Sequence, residues 1–188
     1  VVHFPMLQHP APERVLLLGE GLGGALREIL KHPVRKVVYV ELDPKIVELA
    51  RRYSPEASSV LEDPRVEVVH ADGRLFVKGS GDRFDVIIVN LPPPSSLQLN
   101  RFYTLEFFRE VGGILVGTGI FSTGVSSSSA YITEEMANRN SCIYEAIKEL
   151  FPSYLAIPGD YNIFLASPSG EKGVLNYDAG ILYRRLLD

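Results

Sequence analysis

Cysteine is all but absent: Cys142 is the only one in 188 residues. No internal disulfide can staple the fold, and a reducing, cytoplasmic setting is expected. Cys142 falls in an apolar-periodic helical stretch, which predicts a buried structural thiol rather than a nucleophile. Positive charge is not in excess either. With 19 Lys+Arg against 23 Asp+Glu, the net charge is −4. No basic field is available to grip phosphate backbones, so nucleic acid is not an expected partner. A mildly acidic surface suits a cationic small molecule. No apolar run reaches the roughly 20 residues of a membrane span, and none reads as a signal peptide. An initiator Met is missing too. The chain opens on a strand-like Val1-Val2-His3-Phe4, which predicts a fragment of a longer chain. What remains is an ordinary globular composition, 46% hydrophobic and 22% charged. Its length predicts one domain with a substantial core.

Glycine, by contrast, is concentrated. The apolar run Val15-Leu16-Leu17-Leu18 leads straight into Gly19-Glu20-Gly21-Leu22-Gly23-Gly24, and a helical stretch follows from Ala25. A buried strand that turns on glycines into a helix lets a ligand approach bare backbone N–H groups. A second strand, Val37 to Val40, ends on Glu41. In nucleotide-binding βαβ units an acid about twenty residues beyond the first glycine binds the ribose hydroxyls.

The remaining elements alternate. Residues 5–12 read as a short helical or irregular lead-in. Strands are predicted at 14–18, 36–41, 66–70, 84–90, 113–117, 153–157 and 162–166. Helices are predicted at 24–32, 44–53, 102–111, 133–150 and 177–187, with a further turn or two at 55–61. Asp43-Pro44 and Thr133 read as helix starts. Ser126 to Ser129 reads as a flexible loop. Strands alternating with helices predict a doubly wound α/β sheet with right-handed crossovers. One junction is odd. Val111 runs into Gly112-Gly113-Ile114 with almost no connection, so either the turn is very tight or residues are missing there.

In such sheets ligands bind beyond the carboxyl ends of the strands. The glycine loop, Glu41, Asp72 and Asn90 all fall at strand ends. Singly, each has a plain structural role: packing, a surface acid, a helix N-cap at Asp72-Gly73, a turn cap. Together they predict one pocket for an adenosine-type ligand. Gly19-x-Gly21-x-x-Gly24 with Glu41 also satisfies a dinucleotide fingerprint, so NAD competes. Asp72 favours S-adenosylmethionine or a relative, because an acid after the third strand can accept a hydrogen bond from the adenine amino group.

Several segments in order resemble the spermidine synthase family of polyamine aminopropyltransferases. They are His9 to Gly19, Leu26 to Pro33, Val40-Glu41-Leu42-Asp43, Ala71-Asp72-Gly73, Phe84 to Val89 and Asn100 to Phe108. The likeness spans roughly residues 1–167. Leu91 to Thr104 is most similar to spermidine synthase-like domains with degenerate catalytic-loop aspartates, often fused to membrane segments. The resemblance implies the class I S-adenosylmethionine-dependent methyltransferase fold: a Rossmann-like, mostly parallel seven-stranded sheet with its last strand antiparallel. It also implies that residues 1–188 are a single nucleotide-binding domain lacking a preceding β domain. The donor would be decarboxylated S-adenosylmethionine or S-adenosylmethionine, without a metal. The partner would be a small amine, and a homodimer is expected. The setting would be the cytoplasm, or the soluble part of a membrane-anchored chain.

By the same resemblance, Gly19, Glu20, Gly21, Leu22, Gly23 and Gly24 form the nucleoside loop. Glu41 takes the ribose, while Asp72 and Gly73 take the adenine. Asn90 and Pro93 stand where the family carries catalytic-loop aspartates, and Leu22 stands where its glycine motif has another. Aminopropyl transfer needs a neutral amine to attack the carbon beside a sulfonium, so a bound ammonium must be held and deprotonated. Asn90 can only hydrogen-bond, and Pro93 has no side-chain acceptor. Glu20 and Asp160 are the nearest substitutes, which leaves Asn90 and Asp160 as catalytic candidates. Aminopropyl transfer is the leading expectation. A methyltransferase, motivated by Leu22, and an inactive nucleoside-binding module, motivated by the lost aspartates, are the alternatives.

Overall fold

A computed structural model describes residues 1–171 and 173–187. The strands are β1 (Arg14–Leu18), β2 (Lys36–Glu41), β3 (Val66–His70), β4 (Phe84–Val89), β5 (Leu115–Ser126), β6 (Ser153–Ile157) and β7 (Tyr161–Ser167). They form one sheet in the order β3-β2-β1-β4-β5-β7-β6. Every pairing from β3 to β5 is parallel, and β7 runs antiparallel to both its neighbours. This is the predicted doubly wound α/β sheet with an antiparallel last strand.

Strand alternation divides the core in two. Leu16, Leu18, Val38, Val40, Ile87 and Val89 face one side. Val15, Leu17, Val37, Tyr39, Val86 and Ile88 face the other. Both faces are apolar because helices cover both, which is why these strands read as continuous hydrophobic runs. The first side is closed by α5 (Gly73–Gly79), α7 (Leu105–Ile114) and α8 (Glu134–Leu150) through Val77, Phe107, Phe108, Val111, Ile143 and Ile147. The second is closed by α1 (His3–Gln8), α2 (Leu26–Leu30), α3 (Pro44–Tyr53) and α4 (Pro55–Leu61) through Met6, Leu26, Ile29, Val47 and Leu61. Each such fully buried aliphatic contributes about 1.5–3 kcal/mol. A four-residue helix, α6 (Leu97–Asn100), lies over the strand ends, and α9 (Ala179–Leu187) follows β7.

Local signals account for the helix starts. Asp43 accepts from the Lys45 N–H with Pro44 at the first helical position, and Thr133 accepts from the Met136 N–H.

The structure corrects several expectations. The opening residues are not a strand: His3–Gln8 is helical. The junction after Val111 needs no additional residues. Helix α7 runs through Gly112 and Gly113 to Ile114, and Leu115 (φ −78°, ψ 149°) is at once its cap and the first strand residue. Arg83 donates to the Gly113 carbonyl from outside, placing a cation at the helix C-terminus. The fifth strand is therefore 115–126, not 113–117. It opens with a bulge: Leu115 pairs with Phe84, but Ile120 pairs with Val86. A Cβ on Gly119 would lie 2.9 Å from Leu115 Cδ2 and 3.1 Å from the Phe84 carbonyl, so a side chain there would crowd the bulge. Cys142 is exposed rather than buried. The apolar stripe of α8 passes through Ile143 and Ile147, and Cys142 lies beside it.

Candidate functional site

The strand order reverses between β1 and β4, which lie side by side while β2 and β3 follow β1 outward. Loops leaving adjacent strands at such a reversal diverge in opposite directions and open a crevice. Here the crevice is a cleft of about 780 Å³ at the carboxyl ends of β1, β2 and β3. That volume suits a small-molecule ligand. Leu18 and Gly19, Val40 and Glu41, and Ala71, Asp72 and Gly73 line it. Leu91, Leu97, Leu99 and Phe102 supply an apolar wall.

Gly19 turns the chain at φ +77°, a region L side chains avoid. A Cβ there would lie 2.3 Å from Leu91 Cδ2 and 2.7 Å from the Asn90 carbonyl. Its amide donates to the Val40 carbonyl (3.3 Å), and the Asn90 amide donates to the Leu18 carbonyl (2.9 Å). Three strand ends are thus tied together at the bottom of the cleft.

Glu41 is held from below. Tyr39 lies two residues earlier on the same face of β2, fully buried, and its hydroxyl donates to Glu41 Oε2 at 2.7 Å. The Asp43 N–H donates to Oε1 at 3.1 Å. Burial, then the bond to the Glu41 carboxylate, pushes the Tyr39 phenol above its ordinary range, so it remains a donor. A Cβ on Gly21 would lie 2.7 Å from the Tyr39 ring, so glycine is required for the turn to pass over it.

Asp72 serves two roles at once. Its Oδ1 accepts from the Arg74 and Leu75 N–H groups (3.0 and 3.1 Å), capping α5. Its Oδ2 pairs with the Arg101 guanidinium. Burial opposes its ionisation, but Arg101 and the two amides prevail and hold the carboxyl below its usual range. Arg101 is itself fixed: Nε donates to the Gln98 carbonyl (3.0 Å), and its guanidinium lies 5.0 Å from the Phe102 ring centre. Arg74, bonded to Glu110, donates to the Arg101 carbonyl at 3.1 Å.

Of the sequence-predicted residues, Gly19, Glu41, Asp72 and Gly73 meet in this cleft. The rest of the glycine loop does not line it. Gly21, Leu22, Gly23 and Gly24 border a separate cavity of about 250 Å³ against α4, and Leu22 packs on the core beneath. Gly24 (φ 113°) kinks the turn at 21–25 before α2 begins. Asn90 donates through Nδ2 to the Glu20 carbonyl (3.2 Å), joining the ends of β4 and β1 beside the cleft. Asp160 is exposed in the β6–β7 turn, where Oδ1 accepts from the Ser129 N–H and hydroxyl (2.8 and 2.6 Å). It pins the 126–129 segment, and those bonds lower its pKa.

The spermine/spermidine synthase domain model matches residues 1–175. The chain belongs to the spermine/spermidine synthase family. Curated relatives of this synthase-family chain include polyamine aminopropyltransferases of Bacillus mycoides (37% identity over 81% of this chain), Pyrobaculum arsenaticum (38% over 86%) and Leptospira biflexa (36% over 94%). The chain spans only 54%, 55% and 59% of those proteins. Among solved structures, a spermidine synthase in complex with the transition-state analogue AdoDATO superposes with a TM-score of 0.76 at 31% identity, covering 90% of this chain and 59% of that one. Spermidine synthase from Thermotoga maritima gives 0.74 at 31%, covering 90% and 58%. Human methyltransferase-like protein 13 in complex with SAH, at 21% identity and a TM-score of 0.74 over 99% of this chain and 89% of that one, shares the fold.

In this synthase-family domain, Tyr39 and Arg101 are the site residues that sequence reasoning passed over. Tyr39 carried a signal: it precedes Glu41 by two on a strand, hence shares its face. Arg101 carried none, since its partner Asp72 lies 29 positions away and across a helix. No described helix is long and apolar enough to cross a membrane.

Proposed function

We propose that the protein transfers an aminopropyl group from decarboxylated S-adenosylmethionine to a small amine, releasing methylthioadenosine. The observation that carries this reading is the convergence of Glu41 and Asp72 on one cleft beside the Gly19 turn, in a chain of this family. Glu41, oriented by Tyr39, accepts from the ribose hydroxyls. Asp72 accepts from the adenine amino group, and Gly73 leaves the cleft floor open beneath the base. The apolar wall from Leu91 to Phe102 excludes water from the ring.

From the ribose, the sulfonium arm extends toward the joined ends of β1 and β4, where Glu20 and Asn90 stand. There the amine nitrogen attacks the carbon beside sulfur. A C–N bond forms, the C–S bond breaks, and its electron pair returns to sulfur, leaving neutral methylthioadenosine. The nitrogen loses its proton. Asn90 has no basic group, so it orients the amine while the exposed Glu20 carboxylate, or water beside it, takes the proton. Asp160 is committed to Ser129 and serves the loop.

Incubation of the protein with decarboxylated S-adenosylmethionine and a panel of diamines and triamines, followed by mass spectrometry, tests the assignment. Multiple turnovers of methylthioadenosine with an aminopropylated product are expected. Tight binding of the nucleoside without turnover would contradict transfer and leave a binding module. Methylation of the amine by intact S-adenosylmethionine would replace it with a methyltransferase.

A further inference from the structure

We propose that Arg101 and Asp72 read the adenine as a pair, Arg101 donating to a ring nitrogen next to the amino group that Asp72 accepts. This inference rests on the adenosine reading of the cleft.

Counting lone pairs and protons leads to it. Oδ1 of Asp72 is saturated by the two amides at the start of α5. Oδ2 accepts from Arg101 and keeps one lone pair, enough for one adenine N–H. Arg101 spends Nε on Gln98 and one Nη2 proton on Asp72, and makes no other side-chain hydrogen bond among the described residues. Arg101 lines the cleft, and its remaining guanidinium N–H groups have no protein partner among the described residues. The ion pair therefore presents an acceptor and a donor side by side.

An asparagine or glutamine amide reads adenine bidentately because it offers this same adjacent pattern, matching N6–H with N7. An Asp–Arg pair supplies it with full charges, and the N6/N1 edge has the same order of donor and acceptor. The fork is rigid. Phe102 lies beneath the guanidinium, and the Glu110–Arg74 pair ties down the Arg101 backbone. Asp72 alone would accept from any exocyclic amine; the pair also demands an unprotonated ring nitrogen beside it. A purine carrying oxygen at position 6 would face the carboxylate with an acceptor and be rejected.

The alternative is that Arg101 blocks Asp72 and must leave before the base can bind. Titration calorimetry separates the two, using 5′-methylthioadenosine and its 1-deaza and 7-deaza analogues on wild type, Arg101→Ala and Arg101→Gln. For methylthioadenosine, Arg101→Ala is expected to weaken binding about tenfold and Arg101→Gln, which keeps an N–H donor, by less. One deaza analogue should bind wild type about as weakly as methylthioadenosine binds Arg101→Ala, with no further loss on substitution. Equal losses for all three ligands would reduce Arg101 to a structural partner of Asp72 and overturn the proposal. Tighter binding after substitution would show a latch and overturn it as well. No binding of methylthioadenosine to wild type would remove the adenosine reading itself, an outcome distinct from both. Unchanged thermal unfolding of Arg101→Gln would establish that its effect is local.

Discussion

Tyr39→Phe removes one oxygen from the base of the site and leaves the ring that Gly21 crosses. The hydroxyl is fully buried and donates to Glu41 at 2.7 Å. A hydrogen bond to a charged group contributes about 1.5–3 kcal/mol. Glu41 is only half-buried and regains water, so the low end applies, about 1.5 kcal/mol. Urea unfolding should therefore show a loss of about 1.5 kcal/mol at unchanged m-value. Binding should suffer separately. Glu41 regains rotamers that must be frozen when the ribose docks, costing about 1 kcal/mol, or about fivefold in affinity for methylthioadenosine. A 2′-deoxy analogue, which offers Glu41 one hydroxyl fewer, should lose less. Calorimetry on both ligands provides the check. Wild-type affinity in a variant that is destabilised as expected would refute the view that Tyr39 positions Glu41.

Other consequences are as direct. Gly19→Ala forces a side chain into φ +77° and against Leu91 and Asn90; a loss of about 2–4 kcal/mol with collapse of nucleoside binding is expected by urea unfolding and calorimetry, and a loss under about 0.5 kcal/mol would contradict the crowding. Asp72→Asn keeps a capping oxygen but loses the ion pair. Because the folded-state pKa of Asp72 is depressed, its stabilisation is present above the unfolded value near 3.9 and disappears as pH falls through the folded value. The melting-temperature gap between wild type and Asp72→Asn should thus be constant from about pH 8 to 5 and close progressively in acid, below the unfolded value; a gap that widened in acid would reverse the assignment. Cys142, exposed on α8, should react with a thiol reagent without denaturant, and Cys142→Ser should stay within about 0.5 kcal/mol of wild type.

The fold was legible where periodicity and punctuation agree. Apolar runs bounded by glycine, Asp-Pro or Asp-Gly placed β1, β2, α3 and β3 to the residue, and the acids at those strand ends followed from the topology. Legibility failed where tertiary packing overrides local signals. Gly112-Gly113 reads as a helix stop, yet α7 continues because Val111 and Ile114 are buried on either side of it. The glycine loop reads as one cradle, yet only Gly19 lines the cleft while Gly21 to Gly24 border a cavity against α4. Cys142 looks apolar by composition but sits just off the buried stripe. Arg101 illustrates the hardest case. Its role rests on a contact with Asp72 across the cleft, and no spacing rule connects the two.

The account turns on one cleft in which Glu41 and Asp72 grip opposite ends of an adenosine. Titration of 5′-methylthioadenosine into wild type, Glu41→Ala, Asp72→Ala and the double variant addresses it most directly. Saturable one-to-one binding to wild type is predicted, with each single substitution costing about 1–2 kcal/mol and the two losses adding, since the groups hold separate parts of the ligand. Absence of binding to wild type, or binding that neither substitution weakens, would contradict it.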